Sequence, residues 1–336
     1  MSLHVFEPPS GPPVVLRPRR RWRDRVIAAA ILAGAAVLNR SGALVVAVLF
    51  VLVVPFEKMF PRHRQRLRRP DLRTDIAYGV ATPVLTVATL AVSVVIGIAS
   101  LAWLPGLLVR PLVVALPATV QLLSGFVVFD LVIYWLHRFS HEVPFLWRFH
   151  AVHHSTRQLD WVSGLRNHPL DGAFFAPAYV FLAAAGFRLR YVGVLAVVQI
   201  AVGLFLHANV RWRLRPLHRI VITPEFHHWH HSCERQAMHS NYSVFLPVWD
   251  IVFGTYFMPA DRRPDRYGID EPMPPGLVSQ LSYPLRGLPA PRRVLRVALQ
   301  HPVRGARHLV RGVRRGLHQM RTSARRPTRP AVQSGR

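Results

Sequence analysis

The sequence predicts an all-α integral membrane protein, built of helical hairpins that span the bilayer and carry a histidine-rich helical cap on the cytoplasmic side. Three observations lead there. Of the 336 residues, 51% are hydrophobic, a high share for a soluble enzyme of this length. These residues are bunched into runs almost free of charge, at 26–38, 42–56, 76–104, 111–136, 173–187 and 191–207. Histidines then gather just beyond such runs, in WLHRFSHEVPFLWRFHAVHHS (135–155) and TPEFHHWHHS (223–232).

Taken in order, residues 1–25 are proline-rich and then arginine-rich, which predicts a disordered basic N-terminus. They contain no early apolar core or small-residue cleavage site, so no signal peptide is expected. Residues 26–56 read as a membrane hairpin turning near Asn39-Arg40-Ser41-Gly42, or as one tilted helix, because each arm is short. A bilayer core about 30 Å thick takes roughly 20 helical residues. The runs 76–104 and 111–136 meet that length, with a tight turn expected from Pro105 to Pro111. The returning arm delivers His137 and His141 at its end. A polar stretch, 137–171, comes next, and then a second hairpin, 173–187 and 191–207, turns at Arg188-Leu189-Arg190 and ends on His207.

Arginine favours the cytoplasmic ends of spans. With the basic blocks before residue 26 and at 61–73 inside, an even number of crossings separates the histidine groups, and all should face the cytoplasm. Residues 76–260 are expected to form one catalytic domain. Residues 261–336 read as a basic tail, in which Val303, Ala306, Val310, Val313, Leu317 and Met320 mark an amphipathic interfacial helix near 303–320.

The net charge of +27 comes almost wholly from arginine, since Lys58 is the single lysine. The basic blocks flank apolar runs, so anionic lipid headgroups are the expected partner and nucleic acid is not. The one cysteine, Cys233, excludes an intrachain disulfide and a thiolate-rich zinc site, and is read as packing.

The chemistry lies in the histidines. His137 and His141 stand at i, i+4 on one helix face, as do His150 and His154, with His153 at i+3. His227, His230 and His231 repeat the pattern. Neutral imidazole suits iron, zinc, copper and nickel. Eight such residues exceed the needs of one ordinary site, so two metals are expected. A ligating imidazole usually donates its other N–H to a carboxylate or carbonyl, and Asp130, Glu142, Asp160, Asp171, Glu225 and Asp250 are the nearby acids. His63, His218, His301, His308 and His318 are read as structural or solvated. On ligand chemistry alone, zinc and iron both stay open.

The order H-x-x-x-H (137–141), H-x-x-H-H (150–154) and H-x-x-H-H (227–231) among apolar runs resembles the fatty acid hydroxylase superfamily, also called the sterol desaturase family. The resemblance extends to Asp130-Leu131-Val132-Ile133-Tyr134-Trp135, Arg166-Asn167-His168-Pro169, Leu206-His207-Ala208-Asn209, Thr223-Pro224, Asn241-Tyr242, Trp249-Asp250 and Phe253-Gly254-Thr255. It covers about 120–260. It implies a non-haem di-iron oxygenase that uses O2 and reducing equivalents to hydroxylate or desaturate a lipid: fatty acyl, sterol-like, carotenoid or ether lipid. By matching position, His137, His141, His150, His153, His154, His227, His230 and His231 would be catalytic metal ligands, with His207 a ninth and His168 a weaker tenth. Electrons would come from a separate ferredoxin and its reductase. An apolar pocket open to the bilayer, lined by Phe145, Trp147, Phe149, Trp161, Phe226 and Trp229, is expected beside the metals. Two rivals stay open on the residues. One is a histidine-bound zinc hydrolase with Glu225 as general base; the other is a non-enzymatic metal-binding or transport protein.

Overall fold

In the computed structural model, residues 22–38, 40–66 and 68–286 are described. The expected tail helix at 303–320 lies outside them, as do residues 1–21 of the expected basic N-terminus. Residues through Pro284 belong to one compact unit and those from Leu285 to another. In the first unit every regular element is helical, and the only β pairing among the described residues is two isolated bridges, Pro61 with Val210 and Ser232 with Tyr267.

Helices α1 (Trp22–Leu38) and α2 (Arg40–Met59) meet where the hairpin turn is expected. The first begins four residues inside the segment expected to be disordered. The next part departs from expectation. The run 76–104 is not one crossing but is shared by α3 (Leu72–Ala88), α4 (Leu90–Ala99) and the start of α5 (Trp103–Ala115). The chain bends by 80° between α4 and α5, at Leu101, which sits in the left-handed region with φ 57°. Pro105 and Pro111, expected to turn the chain, instead lie within α5. Pro105 falls in its first turn, where a missing N–H costs nothing. The turn therefore comes earlier than the prolines suggest.

Helix α6 (Ala118–Glu142) is the long returning arm, and α7 (Pro144–His154) begins at once because Pro144 cannot extend α6. The second hairpin is lopsided. Its first arm is split into α8 (Pro169–Ala173) and the nine-residue α9 (Ala176–Ala184), which spans only about 14 Å. Its second arm, α10 (Leu189–Leu206), has eighteen residues. By length and composition, α6 and α10 can cross a membrane, and the bent α4–α5 pair adds a third if it is one broken span. Glycines let that pair close on α9: a Cβ on Gly106 would lie 2.8 Å from the Phe181 carbonyl. Small residues at helix contacts are how apolar helices pack without a hydrophobic drive.

The helices present two kinds of surface. Inward, Phe129, Ile133, Leu182, Phe187, Leu195 and Phe245 form a core between α6, α9, α10 and the segment after α11 (Pro224–His230). Outward, Leu108 is 81% exposed and Val197 67%, and similar residues continue along α4, α5 and α10. So large an apolar surface implies lipid contact. Two short helices, α12 (Val248–Val252) and α13 (Leu277–Ser282), complete the unit.

Candidate metal centre

Four elements end at one place. The last two turns of α6 bring His137 and His141, α7 brings His150, His153 and His154, and His207 caps the C-terminus of α10. Helix α11 brings His227 and His230, with His231 at its end. It has only seven residues, and its start is fixed by the Thr223 side chain, which accepts from the Phe226 N–H, and by Pro224 behind it.

The nine imidazoles sort into two groups, each with its ligating nitrogens within 4.8 Å of one another: His137, His141, His150, His154 and His230; and His153, His207, His227 and His231. Adjacent helical residues point about 100° apart. The pairs His153-His154 and His230-His231 accordingly send one ring to each group, and the rings of His154 and His231 stack at 4.1 Å between them.

The outer nitrogens fix the rings. His150 Nδ1 donates to Asp171 at 2.9 Å, and His137 Nδ1 to the Tyr242 carbonyl at 2.6 Å. In the second group His153 Nδ1 donates to the Arg166 carbonyl at 3.1 Å and His207 Nδ1 to that of Gly203 at 2.6 Å. His230 Nδ1 donates to the Ser240 carbonyl at 2.9 Å. Each such bond leaves the Nε2 lone pair bare. Yet His137 and His150 face each other Nε2 to Nε2 at 3.2 Å, and so do His153 and His207, also at 3.2 Å. With both protons on the outer nitrogens, no hydrogen bond joins these pairs. Two lone pairs at that distance repel unless a cation lies between them. Ligands about 2.1 Å from one metal stand about 3.0–3.4 Å apart at octahedral to tetrahedral angles. One such pair lies in each group, so the residues fit two metal ions.

Electrostatics agree. Burial holds His153, His154, His227 and His231 well below the usual imidazole range. It lowers His207 to about 4 and His230 to about 3, although each has a carbonyl opposing the shift. These rings stay neutral, as ligation requires.

Of the six acids, only Asp171 touches a member of either group. Asp130 accepts from the Phe245 and Leu246 N–H groups and the Trp249 indole, and Asp250 accepts from the N–H groups of Tyr242 and Ser243. Together they shape the 240–257 segment that supplies the Tyr242 and Ser240 carbonyls. Asp160 pairs with Arg69 and caps the 3₁₀ turn Trp161–Leu165, Glu142 pairs with Arg138, and fully buried Glu225 accepts from Arg213 at 2.9 Å. His168 lies in neither group. Its Nδ1 accepts from the Leu170 N–H at 3.2 Å and its Nε2 donates to the Leu281 carbonyl at 3.1 Å, so it caps α8 with both nitrogens engaged. His63 instead bonds the Tyr267 hydroxyl.

Several contributors are silent in the sequence, because carbonyls of Gly203, Ser240 and Tyr242 carry no residue signature. Glu57 is another: it accepts the Trp161 and Asn209 N–H groups and so ties α2 to the 3₁₀ turn at Trp161 and to the segment just after His207. Buried Arg166 is held by Asp75 at 2.5 Å.

A cavity of about 320 Å³ adjoins the first group, reached by His141, His154 and His230 and lined also by Trp147, Cys233 and Met238. Of the six aromatic residues expected along the pocket only Trp147 lines it. Phe149, Trp161, Phe226 and Trp229 are buried in packing, and Phe145 is exposed.

Residues 122–255 match the fatty acid hydroxylase family model. Among known proteins, the chain is 34% identical over 169 residues to ornithine lipid hydroxylase OlsE of Rhizobium tropici, a match covering 50% of this chain and 51% of that one. It is 31% identical over 160 residues to human alkylglycerol monooxygenase, covering 45% and 33%. A plant relative, CER1-like 2 of Arabidopsis thaliana, is 30% identical over 144 residues, 38% of this chain and 22% of that one. The chain thus spans about half the length of the first relative and a third of the second. No solved structure matches.

Proposed function

We propose, on the premise that residues 122–255 form a fatty acid hydroxylase domain, that this chain is a membrane-embedded, O2-dependent oxygenase of lipids. The observation that carries it is the pair of histidine groups whose bare nitrogens converge. His137, His141, His150, His154 and His230 would hold one iron ion, and His153, His207, His227 and His231 the other. Two irons, when bound, supply the redox chemistry that activates O2 toward an unactivated C–H bond. The balance is that of a monooxygenase: the C–H carbon, O2, two electrons and two protons give the alcohol and water. Hydroxylation is favoured over desaturation because the hydroxylase and monooxygenase named above are the most extensive of these matches.

The chain's own groups prepare the site. Outer hydrogen bonds hold each ring in the ligating tautomer. Burial of the rings keeps bulk water from the reacting region. The cavity beside His141, His154 and His230 brings the substrate to the first group. Two electrons must arrive from outside, and an acidic carrier such as a ferredoxin, served by its reductase, suits the arginine-rich surface near α11. There Arg262 lies 4.9 Å from the centre of the Trp229 ring, one residue before His230. In this reading the site faces the cytoplasm of a bacterial cell, and flanking arginines rest on anionic headgroups. The zinc-hydrolase alternative loses its general base, because Glu225 is buried in ion pairs with Arg213 and Arg263.

The test is lipid mass spectrometry of cells making the wild-type chain or His150→Ala. A lipid heavier by one oxygen, present only with the wild type, is expected. Identical lipid profiles from cells with active expression of both would overturn the assignment.

A further inference from the structure

Two left-handed residues stand close together in the segment that serves the first histidine group. His239 has φ 62° and Asn241 φ 61°. Such backbone is uncommon outside glycine, and histidine and asparagine are among the residues that tolerate it best. The same segment supplies two carbonyls that orient ligands. Ser240 accepts from His230 Nδ1 at 2.9 Å, and Tyr242 from His137 Nδ1 at 2.6 Å. Asn241 stands between these two acceptors in the chain. Its side chain is wholly buried, and each of its polar atoms is bonded. Nδ2 donates to the Phe226 carbonyl at 3.1 Å and to the Phe257 carbonyl at 2.8 Å, and Oδ1 accepts from the Phe257 N–H at 2.8 Å. The Asn241 N–H donates to the Thr255 carbonyl at 2.9 Å. Phe226 lies in α11, one residue before His227 and four before His230. One amide therefore ties the acceptor segment both to the helix that carries His230 and to the chain beyond α12.

We propose that Asn241 is a positioning residue of the first group. Its amide sets the 240–242 segment against α11, so that the Ser240 and Tyr242 carbonyls hold the His230 and His137 rings with Nε2 toward the ion. It touches no reacting atom. The inference rests on the two-metal reading, and it confines the effect to two of the nine rings. His150, His153 and His207 donate to Asp171, Arg166 and Gly203, acceptors outside the 240–242 segment.

The experiment compares the full chain in lipid nanodiscs with Asn241→Gly and Asn241→Asp. Glycine accepts the left-handed backbone at no steric cost and removes only the side-chain bonds. Aspartate keeps the shape and the acceptor for the Phe257 N–H but cannot make both donated bonds. His168→Ala, which loses a helix cap elsewhere, controls for general loosening. Nitrogen-15 spectra of the metal-free protein should show His137 and His230 as Nδ1–H tautomers in the wild type and as tautomer mixtures in both Asn241 variants. His150, His153 and His207 should be unchanged. After dialysis against graded chelator, one of two ions should leave each Asn241 variant at about 10–100-fold lower chelator strength than the wild type. His168→Ala should show no such split. Unchanged His137 and His230 tautomers, the same split in His168→Ala, or failure of both Asn241 variants to fold would each overturn the proposal, the last by assigning Asn241 to the fold alone. The two readings fail separately. A wild-type chain that binds one ion, yet shows the tautomer change in the variants, sinks the two-metal reading and keeps the positioning role. Two ions released together from both Asn241 variants do the reverse.

Discussion

Asp171 is the side chain on which the two-metal account can be tested most finely. It sits on α8, 2% exposed, and its Oδ2 takes the Nδ1 proton of His150, while its Oδ1 has no hydrogen-bond partner. Asp171→Ala removes the acceptor. The His150 N–H is then left unsatisfied in a buried position, which costs about 1–3 kcal/mol, and the ring is free to turn its Nε2 out of the first group. Loss of such an outer hydrogen bond typically weakens metal binding about 10–100-fold. Asp171→Asn should behave differently. Its carbonyl oxygen can occupy the Oδ2 position and its amide the unpartnered Oδ1 position, so His150 keeps an acceptor. The assay is metal content after dialysis against graded chelator, for both variants and wild type. The alanine variant should release one of two ions at about 10–100-fold lower chelator strength, and the asparagine variant should track the wild type much more closely. Equal retention by all three would refute the role given to this carboxylate.

Other expectations come from single contacts. A Cβ on Gly164 would lie 3.0 Å from His207 Nδ1, so Gly164→Ala should displace that ring and lower metal content at the second group, with His150 and its partners still loaded. His168→Ala should leave two metals per chain and lower only thermal stability, since the ring caps α8; loss of an ion would restore His168 to the ligands. Glu57 bears on pH. Burial raises its carboxyl from 4.5 to about 7 against two opposing backbone hydrogen bonds. The folded state then holds a proton that the unfolded chain has released, and stability should fall as pH rises from about 4.5 through about 7. Glu57→Gln should flatten that part of the profile, and an unchanged slope would contradict the assignment.

Much of the site is legible in the sequence because ligand spacing on a helix is a one-dimensional property. The i, i+3 and i+4 steps at 150–154 and 227–231 already place imidazoles on adjoining faces. Which ring joins which group is not legible, since it depends on how α6, α7, α10 and α11 approach one another. His168 shows the limit of carrying a motif over by position: its ring is beside the centre in sequence order but is bonded to backbone at both nitrogens. In the membrane region, hydropathy finds the apolar runs but not their bends. Pro105 and Pro111 read as a turn, whereas Pro105 falls in the first turn of α5, where a proline leaves the helix intact, Pro111 stands inside that helix, and the bend falls at Leu101. The short α9 is likewise hidden inside a longer apolar run.

Metal analysis on the full chain, purified without added metal and studied by Mössbauer spectroscopy after growth on iron-57, reaches the central claim most directly. Two irons per chain with a spin-coupled signal, and in His150→Ala the loss of one iron, of the coupling and of O2 uptake, is the result expected from nine converging imidazoles. A single uncoupled metal, or full activity with neither group loaded, would contradict it.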